Sequence, residues 1–225
     1  MSSISLVLVA LALAANDAST GDWPQWRGPN RDGHSADKGL LAIWPKDGPK
    51  LLWTHEEGGI GYSSFAIVGE TLYTMGVVKT SDGEEEAVYA LDTKTGKRLW
   101  KTKTGDRFKN DPWGDGPRGT PTVDGDFVYA LGALGDLVCL KRATGEKVWA
   151  KNLVKDFGGG RPGWGYTESV LVDGDKVLAT PGGKKGAVVA LKKTTGETVW
   201  QSSDFTEGAQ YSSLIVAEVG GIRQY

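Results

Sequence analysis

Cysteine and histidine are scarce in this chain of 225 residues, which contains one cysteine and two histidines. The single Cys139 excludes an internal disulfide, and its place in an apolar segment indicates a buried thiol rather than a reactive one. His34 and His55 lie far apart, with no cysteine or carboxylate at the spacing of a metal site. We therefore expect no zinc and assign no metal-ligating residue.

An excess of charge of one sign is also lacking. The chain has 26 basic and 28 acidic residues, a formal net charge of −2, and no basic cluster. It shows no Ser-His-Asp constellation, phosphate-binding loop or dinucleotide fingerprint. These absences argue against a nucleic-acid partner and against the common hydrolase and nucleotide-binding classes.

Long hydrophobic runs are absent except for residues 4–15, which are interrupted only by Ser5. A helix rises about 1.5 Å per residue, whereas the core of a bilayer is about 30 Å thick, so this run is too short to span it. We expect no transmembrane span and interpret residues 1–20 as a secretory signal peptide. This interpretation predicts a periplasmic or secreted protein.

What the chain does contain is a segment that recurs at a nearly fixed interval and ends each time in tryptophan. Copies occupy residues 87–100, 136–149 and 186–200, and Trp53 ends an earlier one. The intervals between successive tryptophans are 47, 49 and 51 residues. A period of about 50 residues made of short strands predicts the blades of a β-propeller, an all-β fold.

Each copy contains two predicted hairpins. The first includes residues 63–76, 119–132 or 168–182, with a glycine at the turn between alternating apolar residues. The second turns at a Thr-Gly pair, where glycine supplies the positive φ of a tight turn. Two hairpins make a four-stranded antiparallel blade, and the terminal tryptophan is expected to pack between neighbouring sheets. The predicted blade-docking residues are Trp53, Trp100, Trp149, Trp200, Gly96, Gly145 and Gly196.

A fourth copy begins near residue 210 and stops inside its second strand at Tyr225. Residues 51–225 thus hold about three and a half blades. Propellers hide their sheet edges by closing on themselves, typically with four to eight blades. We expect this chain to be a fragment that supplies part of a ring and to be monomeric when the ring is complete.

The second hairpin carries a family resemblance. Its first copy, Ala90-Leu91-Asp92-x-x-Thr95-Gly96-Lys97-x-x-Trp100, resembles the tryptophan-docking motif of the pyrroloquinoline-quinone (PQQ) propeller repeat. The other copies keep the Thr-Gly pair and the tryptophan but replace Asp92 by Lys141 and Lys192, which we expect to weaken the turn.

Three further segments, residues 22–35, 114–121 and 163–175, are similar to secreted PQQ-like propeller proteins of planctomycete-type bacteria. These are related to the outer-membrane assembly propeller and to quinoprotein and polyvinyl-alcohol dehydrogenases. The resemblance implies seven or eight blades in the complete ring, about half of which this chain would supply. It also implies that residues 21–50 form an N-terminal strap, but it does not imply a bound cofactor.

The innermost strand of each blade lines the central channel of a propeller, so the residues that enter it are candidates for binding. Glu168, next to Trp164, is the candidate acid, base or ion ligand. The alternative is that these side chains hydrogen-bond one another and water around the axis. We interpret Glu84, Glu85 and Glu86 as a solvated hairpin tip and residues 106–118 as an inter-blade loop. The candidates at the channel mouth are Tyr62, Ser63, Arg118, Trp164, Tyr166, Glu168 and Tyr211.

Two functions remain open. The first is a non-catalytic secreted propeller that binds a protein or polymer at its face without a cofactor, and the absence of a visible catalytic set favours it. The second is a dehydrogenase that uses PQQ and Ca²⁺ to oxidise an alcohol or sugar. The resemblance supports this second function, but a single cysteine cannot make the vicinal disulfide of the quinoprotein alcohol dehydrogenases.

Overall fold

The computed structural model describes residues 21–81, 83–110 and 112–225, so the predicted signal peptide over residues 1–20 lies outside the described residues. Three four-stranded antiparallel sheets follow one another along the chain, each in sequential strand order. A two-stranded hairpin follows the third sheet. These sheets are the blades of a partial β-propeller, which confirms the predicted fold class.

The strand bounds show how closely the blades repeat. Blade 1 contains β1 (Ala66–Val68), β2 (Thr71–Thr80), β3 (Gly83–Asp92) and β4 (Arg98–Asp106). Blade 2 contains β5 (Thr122–Asp124), β6 (Phe127–Leu131), β7 (Asp136–Lys141) and β8 (Lys147–Asn152). Blade 3 contains β9 (Leu171–Asp173), β10 (Lys176–Ala179), β11 (Val189–Lys192) and β12 (Thr198–Gln201). Strands β13 (Ala217–Val219) and β14 (Ile222–Gln224) begin blade 4.

Two short helical elements lie outside the blades. A 3₁₀ turn, Glu56–Gly58, precedes blade 1, and the helix α1 (Leu153–Phe157) follows β8. The side chain of Asn152 caps α1 by accepting from the amides of Val154 and Lys155. None of the described residues belongs to a helix long and apolar enough to cross a membrane.

The Thr-Gly turns between the third and fourth strands have one common geometry. Gly96, Gly145 and Gly196 have φ of 69°, 73° and 72°, and each amide donates to the carbonyl four residues earlier at 2.8 Å. Beyond each turn the pairing shifts register by one residue, as in a β-bulge. The bulge sets the tryptophan of the outer strand opposite the third strand, at Ala90↔Trp100 in blade 1.

Each of these tryptophans but the last reaches the turn of the next blade. The indole N–H of Trp53 donates to the Thr93 carbonyl at 2.7 Å, that of Trp100 to Arg142 at 3.0 Å, and that of Trp149 to Lys193 at 3.0 Å. The ring lies over the turn glycine, so that an added Cβ would come within 2.5–2.8 Å of it at Gly96, Gly145 and Gly196. We call this arrangement the rim contact. Trp200 instead lies beside Tyr225, with ring centroids 6.1 Å apart.

The apolar core lies between the blades rather than in one centre. Met75 and Val88 of blade 1 pack with Val128 and Val138 of blade 2. A second cluster joins blade 2 to blade 3, and a third joins blade 3 to Leu214 and Val216 of the fourth copy. Every blade is therefore stabilised mainly by its neighbours, as in other repeat proteins.

The first hairpin of blade 1 corrects one expectation from the sequence. Strands β2 and β3 run on to residues 80 and 83, so Glu86 lies well inside the sheet and is only 1% exposed. Its carboxylate accepts from the amides of Phe108 at 3.2 Å and Ala133 at 3.0 Å. Burial raises its pKa to about 7. Glu86 thus ties blade 1 to blade 2 and is not part of a solvated tip.

Residues 22–31, within the predicted strap, contact the inner strands of blades 1 and 2 and the segments that lead into those of blades 3 and 4. Trp23 exchanges backbone hydrogen bonds with Ile67 of blade 1, and the Pro24 carbonyl accepts from Val123 of blade 2. The buried guanidinium of Arg31 donates to the carbonyls of Ser169 at 3.0 Å and Leu214 at 2.7 Å and to that of Val170. This strap links the blades near the axis, where the rim contacts do not reach.

Candidate functional site

A pocket of about 370 Å³ opens where the chain enters the inner strands. Its walls come from the connections that lead into the four blades, the region where the sequence predicts the mouth of the channel. The lining residues, which we call the axial pocket, are Tyr62, Trp113, Arg118, Trp164, Thr167 and Tyr211.

Aromatic rings dominate this pocket. Trp164 and Tyr211 stack with centroids 5.1 Å apart and ring planes at 30°, and Trp113 lies 6.2 Å from Trp164 at 50°. The hydroxyl of Tyr62 donates to the Trp113 carbonyl at 3.1 Å, and that of Tyr211 accepts from the Trp164 amide at 3.3 Å. These bonds hold the rings while between 46% and 65% of each residue stays exposed. Part of each ring therefore stays open to a ligand, although Trp164 and Tyr211 cover one face of each other.

Arg118 supplies the one charged side chain that lines the axial pocket. Its guanidinium lies over the rings of Tyr62, at 5.3 Å, and Phe108, at 4.8 Å. It donates to the carbonyls of Gly114 at 2.7 Å and Gly116. Burial lowers the pKa of Arg118, but a guanidinium stays charged in proteins. The pocket consequently carries a fixed positive charge, and none of the described carboxylates lines it.

Four of the seven residues predicted at the channel mouth meet in this pocket, namely Tyr62, Arg118, Trp164 and Tyr211. Ser63 lies beside it and donates to the Gly119 carbonyl at 2.7 Å. Tyr166 is buried behind it, with its hydroxyl donating to the Pro181 carbonyl at 2.9 Å. The structure thus brings neither Ser63 nor Tyr166 into the pocket.

Glu168 is also buried, with 2% exposure, and does not line the pocket. Its two oxygens accept from the amide of Thr180, at 2.6 Å, and from the Thr180 hydroxyl. Burial raises its pKa to about 7, and the nearby charge of Arg31 and these hydrogen bonds act in the opposite direction. A carboxylate held in this way braces blade 3 and has no open path to a ligand in the axial pocket.

Serine and threonine hydroxyls link neighbouring blades below the mouth. The amide of Thr120 donates to Ser169 Oγ at 2.9 Å, and the amide of Ser169 donates to Ser213 Oγ at 2.9 Å. Thr120, Ser169 and Ser213 stand at equivalent positions of three successive inner strands. This polar series holds the strands that carry the pocket at a fixed spacing.

Two pocket residues, Trp113 and Thr167, were not among the predicted candidates. Trp113 belongs to the loop over residues 106–118, which the sequence allows to shape a rim or bind a cation but which we interpreted as an inter-blade loop without a ligand. Thr167 stands between Tyr166 and Glu168, and its alignment with Tyr62, Arg118 and Tyr211 is the signal that identifies it. Its hydroxyl oxygen is buried without a hydrogen-bond partner.

The described residues include no group of three or more His, Cys, Asp or Glu side chains arranged to hold a metal ion. Cys139 is fully buried, as predicted, and burial raises its pKa to about 12. The structure thus places this thiol in the core between blades 2 and 3.

A larger cavity of about 530 Å³ lies beside the 3₁₀ turn and the outer part of blade 1. Three of its six charged lining residues are paired, since Arg98 forms a salt bridge with Glu57, and Glu84 forms one with Arg107. The axial pocket is smaller, but it has fixed rings and a cation that forms no salt bridge among the described residues. We therefore take the axial pocket as the candidate site.

Comparison with known proteins identifies the family. The family model for outer membrane protein assembly factor BamB matches residues 84–225, and the chain belongs to this PQQ-like propeller family. The chain is 27% identical over 139 residues to BamB of Kangiella koreensis, a match covering 56% of this chain and 30% of that protein. It is also 31% identical over 187 residues to the quinoprotein ethanol dehydrogenase of Pseudomonas putida, covering 76% of this chain and 27% of the enzyme.

A solved structure supports the fold. The quinohemoprotein alcohol dehydrogenase of Comamonas testosteroni superposes with a TM-score of 0.61 and 22% identity, covering 83% of this chain and 28% of that chain. The present chain therefore spans less than a third of the length of these relatives. The family contains both assembly factors and dehydrogenases, so membership alone does not separate binding from catalysis.

Proposed function

We propose that this chain is a non-catalytic binding module that receives a protein or polymer segment in the axial pocket. The observation that carries the proposal is the composition of that pocket, which has four exposed aromatic rings and one cation but no carboxylate. Rigid aromatic side chains provide large contact areas at low entropic cost, and the histidine and carboxylate groups that most often act in general acid–base catalysis do not line the pocket among the described residues.

The position of Glu168 supports the same conclusion. A general base must reach a substrate proton directly or through one water molecule. Both oxygens of Glu168 instead accept hydrogen bonds from Thr180 inside blade 3. Among the described residues, the axial pocket therefore offers a binding surface without a carboxylic acid or an imidazole.

The second candidate function is a dehydrogenase dependent on PQQ and Ca²⁺, and the name of the quinoprotein ethanol dehydrogenase relative favours it. Ca²⁺ takes about six to eight oxygen ligands, usually including carboxylates. No carboxylate lines the axial pocket, and the cofactor's carboxylates would find only Arg118 as a cationic partner there. The described residues thus do not fit this pair, and we propose no catalytic step through it.

Titration of the protein with PQQ and Ca²⁺, followed by quinone absorbance and thermal shift, tests the proposal. We expect no saturable binding at high micromolar cofactor. Stoichiometric, calcium-dependent binding would favour the dehydrogenase instead.

A parallel screen against soluble polysaccharides and peptides tests the binding function directly. A genuine ligand is expected to bind saturably, to lose affinity in Trp164→Ala, and to bind normally to Trp44→Ala. Trp44 is a matched control because it is 66% exposed and does not line the pocket.

We further propose that the protein works outside the cytoplasm. The name of the matching family refers to assembly of outer membrane proteins. The apolar run over residues 4–15 supports export. Detection of the protein in a periplasmic or culture fraction, with its N-terminus downstream of that run, would test this location.

A further inference from the structure

We infer that the axial pocket binds an acidic saccharide polymer, one whose sugar rings carry carboxylates. This inference rests on the proposed binding function and names the ligand class for the same pocket. It follows from three features of the lining, which are the exposed ring faces, the fixed charge and the lack of aliphatic side chains.

The ring faces set the shape of the ligand. Trp164 and Tyr211 form one stacked wall, and Trp113 forms a second wall inclined to it. The face of an aromatic ring is electron-rich and attracts groups with a small positive charge, such as the C–H bonds on the flat side of a sugar ring. Two walls inclined at 50° can each pack against one of two successive sugar rings, because neighbouring rings of such a polymer are rotated relative to each other.

The positive charge of Arg118 favours a ligand that carries a negative charge. Aromatic pockets also bind quaternary ammonium groups, but a guanidinium in the wall repels such cations. Arg118 uses some of its N–H groups for the Gly114 and Gly116 carbonyls, and the remaining N–H groups are free for an acceptor. A carboxylate on a sugar ring is the acceptor that a guanidinium binds best.

The other lining residues distinguish a saccharide from a peptide. Among the described residues no aliphatic side chain lines the axial pocket, so a peptide anchor would contact only aromatic rings, one threonine and one cation there. Thr167 supplies a hydroxyl that has no hydrogen-bond partner in the described structure. Rotation of this hydroxyl group toward the pocket would pair it with a sugar hydroxyl and remove the cost of a buried, unsatisfied polar atom.

Isothermal titration calorimetry with three probes tests the inference. The probes are an oligogalacturonate, a neutral cello-oligosaccharide of the same length, and an acidic peptide containing tryptophan. We expect saturable binding of the oligogalacturonate, at least about tenfold tighter than that of the neutral sugar. This preference should shrink as salt is added, because the Arg118 contact is screened.

Three variants locate the binding. Trp164→Ala and Trp113→Ala should each weaken oligogalacturonate binding about tenfold or more, whereas Trp44→Ala should leave it unchanged. Arg118→Gln should weaken the acidic probe about tenfold and the neutral probe little. Circular dichroism and the unfolding midpoint confirm that each variant is folded before binding is compared.

The possible failures separate the inference from the proposed function. Tight binding of the peptide, lost in Trp164→Ala and without oligogalacturonate binding, would overturn the saccharide assignment and leave the binding function standing. Equal binding of the acidic and neutral sugars would overturn the role of Arg118 and with it the acidic class. Binding of none of the probes, together with saturable binding of PQQ and Ca²⁺, would overturn both.

Discussion

The rim of the blades and the mouth of the channel are built from the same repeat in opposite ways. At the rim, each copy uses the same residue types, so that an indole lies over a glycine and donates to a turn carbonyl at 2.7–3.0 Å. At the mouth, equivalent positions hold Tyr62, Arg118, Thr167 and Tyr211, which differ in size and charge. Uniform positions thus maintain the architecture, while varied positions make one asymmetric pocket.

Removing a rim tryptophan is expected to cause the largest loss of stability and so tests the role of the rim most directly. Trp149 is 8% exposed and packs between blades 2 and 3, so we expect Trp149→Ala to cost about 3–5 kcal/mol through the cavity it leaves. Trp164→Ala at the exposed mouth is the matched control. Equilibrium denaturation measures both, and an unchanged midpoint for Trp149→Ala would show that this ring does not hold the blades together.

The strap provides the second test, because Arg31 joins blades 3 and 4 near the axis. Arg31→Met removes its hydrogen bonds to the carbonyls of Ser169, Val170 and Leu214, and we expect a loss of about 2–3 kcal/mol. Arg27→Met is the control, since exposed Arg27 contacts only the nearby Asp32 carbonyl among its hydrogen-bond partners. Equal unfolding free energies for the two variants would contradict a role for Arg31 in linking blades.

The turn glycines give a finer test of the rim contact. Gly145→Ala places a methyl group 2.6 Å from the Trp100 ring and adds a side chain at φ of 73°, so we expect a loss of about 2–3 kcal/mol. Gly125→Ala meets only the backbone penalty, because φ is 55° and no atom lies within 4 Å of the new methyl group. We expect about 1 kcal/mol there. Similar losses at both sites would mean that the indole does not constrain Gly145.

The pH dependence of stability tests the buried carboxyl groups that lie between rim and mouth. Burial raises the pKa values of Glu86 and Glu168 from 4.5 to about 7. The folded state therefore holds protons that the unfolded chain releases, and the resulting stabilisation is complete below about pH 4.5 and lost as the pH rises through about 7. Thermal unfolding should show a falling midpoint over this range.

Glu86→Gln isolates one of these groups because its side chain stays neutral at every pH. We expect the unfolding midpoint of Glu86→Gln to fall less between about pH 4.5 and 7 than that of the unmodified chain. The variant Glu146→Gln, at an exposed site, should show the full fall. An identical pH profile for Glu86→Gln and the unmodified chain would mean that Glu86 does not titrate in this range.

The smallest effect is expected at the mouth itself. Trp164 is 49% exposed and its ring borders open space, so Trp164→Ala should cost less than about 1 kcal/mol of stability. The same change should remove ligand binding, which separates function from folding at this position. A stability loss as large as that of Trp149→Ala would erase the distinction between the two regions.

Sequence reasoning succeeded where the repeat is regular. The period of tryptophans and the Thr-Gly turns predicted four-stranded blades, and the structure confirms them. The replacement of Asp92 by Lys141 and Lys192 leaves the turn hydrogen bond at 2.8 Å in all three copies. In the first copy the Asp92 carboxylate accepts from the amide and hydroxyl of Thr95, whereas in the later copies Lys141 and Lys192 form salt bridges with Glu146 and Glu197. The motif of the first copy alone does not reveal this exchange of one interaction for another.

The same reasoning reached only part of the pocket. Alignment of the inner strands pointed to Tyr62, Arg118 and Tyr211, since repeats place equivalent residues at equivalent heights. It did not separate Glu168 from Thr167, the residue before it. Alternate residues of an extended chain face opposite sides, and Thr167 faces the pocket while Glu168 turns into the blade. Trp113 was missed although the next inter-blade connection carries a similar Trp-Gly pair at Trp164 and Gly165, because the sequence does not show which way either connection turns.

Arg31 and Glu86 show a further limit. Both were inconspicuous in a polar stretch of sequence, yet both are at most 5% exposed. Their burial depends on carbonyls and amides from distant blades, and a local pattern carries no information about such partners.

The reach of the strap has a consequence for how the molecule comes together. Arg31 bonds to residues 138 and 183 positions later in the chain, whereas the rim contacts join neighbouring repeats. Contacts of such long sequence separation form late, because a large loop must first be closed. Successive blades can stack as they leave the ribosome, but the hydrogen bond from Arg31 to the Leu214 carbonyl cannot form before the fourth copy has been made. A segment made before the blades is thus among the last to form its contacts.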